Sequence, residues 1–481
     1  MVNNTPSSAA IIAPQLELFP IYDNYSAFAQ DTWRINPDLT LTYGLRYEVV
    51  PAPTEKNGNL PPTVTDLSNF ANVTLAPTGT KFYETTFNNF APRFGVAYKL
   101  PKFEAVIRGG FGVFYDLGYN FAGTAFSTGA FPFASITNLT NQTYTSPTFA
   151  VQAPPVNLNP PYSRIFAYEN GYKLPYTLQY NLAIEKSFAG NNTISLSYVG
   201  AQGERLGRAE TIRSVNANFP RIDLATNGGF SNYNALQAQY QRRFSRGLQV
   251  LASYTFGKSL DNVSEEANNN LQAVTGKFDV KSDYGHSNFD IRHSFNSAVS
   301  YEIPSLFKDG IGKAIFGGFG LDATFRARTA TPVNIVSGVN RFNLGTTTVL
   351  RPDYIAGQPL YIEDPNVAGG RRFNPAAFVV PPAAENRQGT LGRNVLRGFG
   401  ANQLDLSLRR TFGITETINL QLRADGFNIL NRANFANPIG IVSSGNFGRS
   451  VQMLGNGLGG LSSLYQIGGP RSFQLSAKIN F

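Results

Sequence analysis

The chain has 481 residues, with 40 Lys+Arg, 31 Asp+Glu, two His, one Trp and no Cys, and a formal net charge of +9. The lack of thiols excludes a disulfide scaffold, a zinc ribbon and a Cys nucleophile. Charged residues make up only 15%, below the roughly 25% of soluble domains, and no apolar run reaches the ~18 residues of a membrane helix. Aromatics at 13% and 46 Gly point to a large β-protein rather than a disordered chain. No stripe of Lys and Arg runs beside the aromatics, so nucleic acid is not expected as a partner.

The opening stretch, MVNNTPSSAAIIAPQLELFP, has neither a basic region nor a sustained apolar run and does not read as a signal peptide. Segment 1–21 is expected to be irregular. From 22 to 481 the dominant pattern is period-two alternation. It predicts thirteen strands, at 22–34, 38–50, 89–100, 103–116, 173–188, 192–201, 232–244, 247–258, 289–303, 316–328, 402–412, 416–429 and 471–481. In the last of these Phe473, Leu475, Ala477, Ile479 and Phe481 share one face, and Ser472, Gln474, Ser476, Lys478 and Asn480 the other. Most are too long for soluble strands, which average ~5–6 residues. They suit tilted membrane strands of ~9–11.

The connections alternate short and long. Short ones centre on Pro37, Pro101, Gly190, Gly247 and Gly413, with a longer link at 304–315. Long ones cover 51–88, 117–172, 202–231, 259–288, 329–401 and 430–470. Loops that are long at one end only are the mark of an outer-membrane barrel, with short periplasmic turns and long extracellular loops. The expected fold is therefore all-β: part of an antiparallel transmembrane β-barrel of about 13 long strands, with 22–481 as the C-terminal portion of the barrel. The first and last strands then both run inward and the C-terminus is periplasmic. An odd count where bacterial barrels have even ones leads to the expectation of at least one more strand upstream, from a fragment or a misassigned start.

A spanning sheet faces lipid with apolar side chains and water with polar ones. The polar faces carry Arg423, Asp425, Arg409, Asp405, Arg326, Arg328 and Glu185. These are candidates for the lumen wall, where they contact a plug, line a solute path or form interstrand ion pairs. Tyr22, Phe94, Tyr115, Tyr176, Phe188, Tyr254, Phe256 and Tyr301 sit at strand ends and suit interfacial girdles.

Six blocks carry a resemblance. They are YSAFAQDTWRINPDLTLTYGLRYE (25–48), YNALQAQYQRRFSRGLQVLASYTFGKSLDN (233–262), SNFDIRHSFNSAVSYEIP (287–304), GTLGRNVLRGFGANQLDLSLRRTFGI (389–414), FNILNRANFANP (427–438) and RSFQLSAKINF (471–481). In this order they resemble the C-terminal barrel of TonB-dependent outer-membrane receptors of the Oar-like type. The resemblance implies a barrel in the Gram-negative outer membrane, of the plugged class with about 22 strands, of which these are strands 10 to 22. It also implies a plug and a TonB-engaging box in a missing N-terminal part, through which the inner-membrane TonB complex supplies energy. The final strand resembles the signal read by the outer-membrane assembly machinery, with Phe481, Ile479 and Phe473 as its candidate residues.

Little points to covalent chemistry. GNGLGG at 455–460 matches G-x-G-x-x-G but lacks the strand and helix of a dinucleotide site, so it reads as a Gly-rich loop. Asp283, His286, Asp290 and His293 have ligand chemistry, yet the two His fall on opposite faces of a strand. Glu265 and Glu266 sit in a polar loop. No enzyme, cofactor or metal site is expected. Arg371, Arg372, Arg393 and Arg397 in the loops are candidates to meet lipopolysaccharide or ligand. The expected function is the barrel part of a receptor for energised transport of an unnamed ligand across the outer membrane. Alternatives are a passive porin-like channel, a protein-export barrel and a soluble β-rich adhesin.

Overall fold

The computed structural model describes residues 8–14, 16–65, 67–127, 131–140, 155–264, 281–305, 307, 310–339, 350–385, 387–457 and 468–481. Its main element is one antiparallel sheet whose path holds thirteen long strands in sequence order. We label them β1 (Tyr25–Asn36), β2 (Leu39–Val49), β3 (Asn89–Leu100), β4 (Ala105–Tyr115), β5 (Tyr176–Phe188), β6 (Asn192–Asn216), β7 (Phe219–Ser245), β8 (Leu248–Asp261), β9 (His293–Glu302), β10 (Phe319–Arg328), β11 (Ala401–Gly413), β12 (Asn419–Phe427) and β13 (Ser472–Asn480). Each predicted strand is present. Edge strands β1 and β13 each pair with one long neighbour along this path and not with each other.

Local chemistry accounts for the tight turns. Asn36 Oδ1 accepts from the amides of Asp38 and Leu39, both at 2.9 Å, and reverses the chain between β1 and β2. Between β7 and β8, Arg246 and Gly247 have φ of 51° and 77°. Two positive φ values in a two-residue hairpin match the right-handed twist of the flanking strands.

Register keeps each face uniform around the sheet. Leu182 opposes Tyr198, Tyr198 opposes Leu236 and Leu236 opposes Phe256. Further on, Tyr301, Leu321, Leu408, Ala424 and Leu475 form a second such row. All of these side chains are exposed. An apolar surface running round the whole sheet far exceeds what water-soluble monomers show; it is a lipid-facing wall. The reverse face carries the row Ser300, Asp322, Ser407, Asp425 and Gln474.

The compact cores lie in the long connections, at one end of the sheet. One gathers Phe82, Tyr83, Phe121, Phe126, Phe166 and Tyr168. A second holds Val73, Phe131, Ile165, Ile212, Phe219 and Ile222. A third holds Val333, Ile335, Phe373, Phe378, Leu396 and Phe447. Together they make a structured crown on the strand ends.

Two expectations need correction, and one link gains a helix. Segment 202–231 is a hairpin rather than a loop: β6 and β7 run on, paired from Leu206 against Gly229 to Asn216 against Phe219. Charges on alternate residues hid these strands, because in the fold they are neutralised by partners described below. Segment 1–21 is not wholly irregular, since Ser8–Pro14 pairs antiparallel with Ala134–Thr140, and Pro20–Ile21 with Thr54–Glu55. The β-branched pair Ile11–Ile12 suits an extended backbone. The link at 304–315 contains a short helix, Gly310–Phe316.

Leu196 and Ser197 are neighbours in the spanning half of β6 with opposite orientations. Leu196→Arg is expected to cost about 2–4 kcal/mol of folding free energy in lipid vesicles, and Ser197→Arg far less. Urea unfolding of both variants measures the difference; equal costs would reverse the assignment of the faces.

Candidate functional site

Alternation places the charges of β9–β12 on the wall opposite the lipid face. Asp322 is their centre. Its carboxylate lies 3.4 Å from Arg409 Nε and 3.4 Å from Arg423 Nη1, and accepts a hydrogen bond of 2.6 Å from Ser300 Oγ. Arg423 also reaches Asp425 at 2.6 Å and donates to Ser407 Oγ at 2.9 Å, while Ser407 donates to Asp425. Three of the sequence candidates, Arg409, Arg423 and Asp425, are thus joined in one ladder. Asp322 escaped the sequence reading, although alternation from Phe319 already placed it on this face.

The other wall candidates stand apart. Asp405 accepts from Gln403 Nε2 at 2.9 Å and from the Asn428 amide at 2.8 Å, so it fastens the chain leaving β12. Arg326 and Glu185 lie on the polar face. Neither has an ionic partner among the described residues. Glu185 is on β5, far along the sheet from the Asp322 ladder.

A second set of charges is buried in the crown. Arg208 and Arg351 grip the two oxygens of Asp283 at 2.6 Å each, and Arg208 also binds Glu210. Arg393 holds Asp261 Oδ1 at 2.6 Å and donates to the Asp283 carbonyl at 3.2 Å. Arg397 binds Asp290, which also accepts from the Ser259 amide at 2.7 Å. At the hairpin tip Asp223 takes Arg164, Arg221 and Thr211, at 2.5, 2.8 and 2.6 Å. Arginine suits these sites because its planar fork meets two acceptors at once.

This network accounts for several sequence candidates. Arg393 and Arg397 bind inside the protein. Arg371 lies over the rings of Tyr361 and Phe399 and donates to the Gly398 carbonyl at 2.7 Å, and Arg372 pairs with Asp364 at 3.0 Å. The Asp283–His286–Asp290–His293 set does not converge. Asp283 is taken by two arginines, His286 Nδ1 lies 3.2 Å from Asp290, and His293 Nδ1 lies 2.7 Å from Tyr254 OH. No cluster of possible metal ligands occurs among the described residues. Burial, then Arg397, lowers the His286 pKa against the pull of Asp290. Burial raises that of Asp290, but the hydrogen bonds from Arg397 and the Ser259 amide outweigh it, and the net is low. Glu265, Glu266 and residues 458–460 of GNGLGG lie outside the described residues.

The sequence profile of the outer membrane beta barrel domain matches residues 3–467. The chain belongs to this family. Comparison with curated proteins finds no match in sequence. Among solved structures, the chain is similar to the FrpB iron transporter from Neisseria meningitidis, at 12% identity and TM-score 0.48, covering 97% of this chain and 46% of that one. It is also similar to the ferripyoverdine receptor of the Pseudomonas aeruginosa outer membrane, at 12% identity and TM-score 0.47, with 97% and 40% covered. The outer membrane transporter YddB from Escherichia coli aligns at 11% identity and TM-score 0.47, with 96% and 54% covered. The chain spans about half the length of these structures or less.

Phe473, Leu475, Ile479 and Phe481 are all exposed, Phe481 to 95%. Phe473, Leu475 and Ile479 oppose Gly426, Ala424 and Leu420 on β12.

The crown network should dominate the stability of the crown end of the sheet. Asp283→Ala strands two buried guanidinium groups and is expected to cost about 3–5 kcal/mol. Asp364→Ala, which breaks a more exposed pair, should cost at most about 1 kcal/mol. Urea unfolding in detergent compares them.

Burial raises the Glu210 pKa to about 7, against the pull of Arg208, and Oε2 has no hydrogen-bond partner. The folded protein therefore keeps a proton that the unfolded chain releases near 4.5. Proton uptake by the folded state means that stability falls as pH rises between these values and levels off above about 7. Glu210→Gln should flatten that part of the profile of unfolding free energy against pH; an unchanged slope would assign it to another group.

Proposed function

We propose that this chain is the barrel part of a TonB-dependent receptor that carries a ligand across the outer membrane. The observation that carries this reading is the crown. Its loops are packed around apolar cores and tied by buried ion pairs, which supports a built capture surface better than an unobstructed pore mouth. The six sequence blocks that resemble Oar-like receptors support the same reading. Most of their residues fall in β1, β2, β7, β8, β9, β11 and β13.

In this proposal the short-turn end faces the periplasm and the crown faces outside. Backbone groups along the free edges of β1 and β13 need partners in lipid, so further strands complete the wall. A plug of the kind such receptors carry meets the Asp322–Arg409–Arg423–Asp425 ladder as one contact surface, and transport draws its energy through TonB. The exposed row Phe473, Ile479 and Phe481 serves as the assembly signal.

The test compares the organism with strains lacking this gene or lacking TonB, by profiling which solutes each strain removes from its medium. Energised reception predicts that solutes lost from uptake in the gene deletion are lost equally without TonB. Uptake that needs this gene but survives loss of TonB would instead establish a passive channel.

A further inference from the structure

The polar face of the sheet is not charged alike throughout. On β9–β12 its alternate positions carry Arg326, Arg328, Arg409 and Arg423 against Glu302, Asp322, Asp405 and Asp425, four of each sign. On β1–β5 they carry Arg34, Arg46, Arg93, Lys99 and Arg108 against Glu48 and Glu185. Arg46 and Glu48 pair at 2.5 Å. That leaves four cations and one carboxylate, and none of the four has an ionic partner among the described residues.

A recess of about 560 Å³ opens on this face at β3–β7. Arg93, Gly110, Gly112, Phe114, Gln179 and Asn181 line it, while the intervening Phe94, Phe111 and Tyr180 turn to the lipid side. Gly112 shapes the recess. A Cβ there would lie 2.8 Å from Phe114 Cε2, so glycine lets the ring fold back against the wall. Arg93 Cζ sits 4.5 Å from the centroid of that ring. The other cross-strand neighbour of Arg93 is Gly44, which has no side chain to cover it. The guanidinium is therefore held by its face while its N–H edge stays open. Arg93, Gln179 and Asn181 are exposed, and their side chains make no hydrogen bond among the described residues.

Further cations continue the line. Arg34 and Arg108 share a cross-strand row through Thr40 and Ala97, about 13 Å nearer the short-turn end than Arg93. Lys99 lies beyond them. A stacked guanidinium with a free edge matches an oxyanion. Surplus cations on a low-dielectric wall concentrate anions, and rings of Arg or Lys give pores anion selectivity in the same way.

We infer that the β1–β5 side of the lumen is a path for an anionic solute, whose oxyanion group is held by Arg93 on Phe114 and passed toward Arg108 and Arg34. This rests on the proposed transport reading and gives its substrate class.

The chain has no Cys, so single introduced thiols report the local charge of the wall. The test uses Gln179→Cys, in the recess, and Thr324→Cys, on the balanced β10 wall, each in the organism's own outer membrane. An anionic sulfonatoethyl and a cationic trimethylammonioethyl methanethiosulfonate are the probes, with rates divided by those on a small free thiol. At Gln179→Cys the anionic reagent should be favoured at least tenfold. Adding Arg93→Gln and Arg108→Gln should abolish that preference with unchanged heat-modifiability. Adding Arg410→Gln, on the lipid face, should leave it intact. Thr324→Cys should show a ratio near one. A ratio of one or less at Gln179→Cys, a preference that survives the double arginine change, or an equal preference at Thr324→Cys would each overturn the inference. Protection of Gln179→Cys from both reagents would also overturn it, by placing protein on the recess. The transport reading has its own readout: the charge preference can fail while TonB-dependent uptake stands, and it can hold in a channel that ignores TonB.

Discussion

The whole architecture follows from the inability of hydrocarbon to hydrogen-bond a peptide group. A segment that crosses the membrane as strands has to satisfy every amide and carbonyl from a neighbouring strand. The continuous chain of strand pairings from β1 to β13 is that requirement met along the sheet. Once the backbone is committed, side chains have only two directions available. Apolar residues go to lipid and polar residues to the other side, with no interior left between them. This explains why the sheet has no core of its own, and why Leu182 and Leu475 are exposed in a well-ordered strand.

Charge is handled differently on the wall and in the crown. On the wall, Asp322 and its arginines keep separations of 3.4 Å and stay partly open to solvent. In the crown, Asp261, Asp283 and Asp290 are almost fully buried, and each is bound by arginine. Burying a charge is costly unless it is paired and hydrogen-bonded, so the crown network holds only as a complete set. Its members come from the ends of β6 and β8 and from loops far apart in sequence, so it ties chain segments that no sheet pairing connects.

The division between sheet and crown also decides what the sequence could reveal. Alternation is a local signal, and one look along Phe473, Leu475, Ala477, Ile479 and Phe481 is enough to assign both strand and face. All thirteen long strands were legible in this way, and so was the one-sided distribution of loops. Of the wall charges, alternation puts Arg409, Arg423 and Asp425 on one shared face, but their meeting at Asp322 depends on register between strands. The crown was illegible. Arg208, Glu210 and Asp223 interrupt alternation exactly as a solvated loop does, and only their distant partners Asp283 and Arg164 turn that stretch into paired strand. Arg393 and Arg397 read as exposed loop charges for the same reason: nothing near them in sequence announces Asp261 or Asp290.

The crown is thus water-soluble protein chemistry mounted on a membrane sheet, with apolar clusters, capped turns and satisfied ion pairs. Ordering a loop on binding costs free energy that a preordered loop has already lost in folding. Connections fixed through Phe373, Phe378 and Phe447 on one side, and through Phe82, Tyr83 and Tyr168 on the other, present a surface whose shape does not wait for a ligand. The lipid-facing strands below need only stay apolar, while crown residues are constrained by one another. Change in the crown therefore has to come in sets, an arginine with its aspartate, whereas the outer face of the sheet accepts any exchange of one apolar side chain for another.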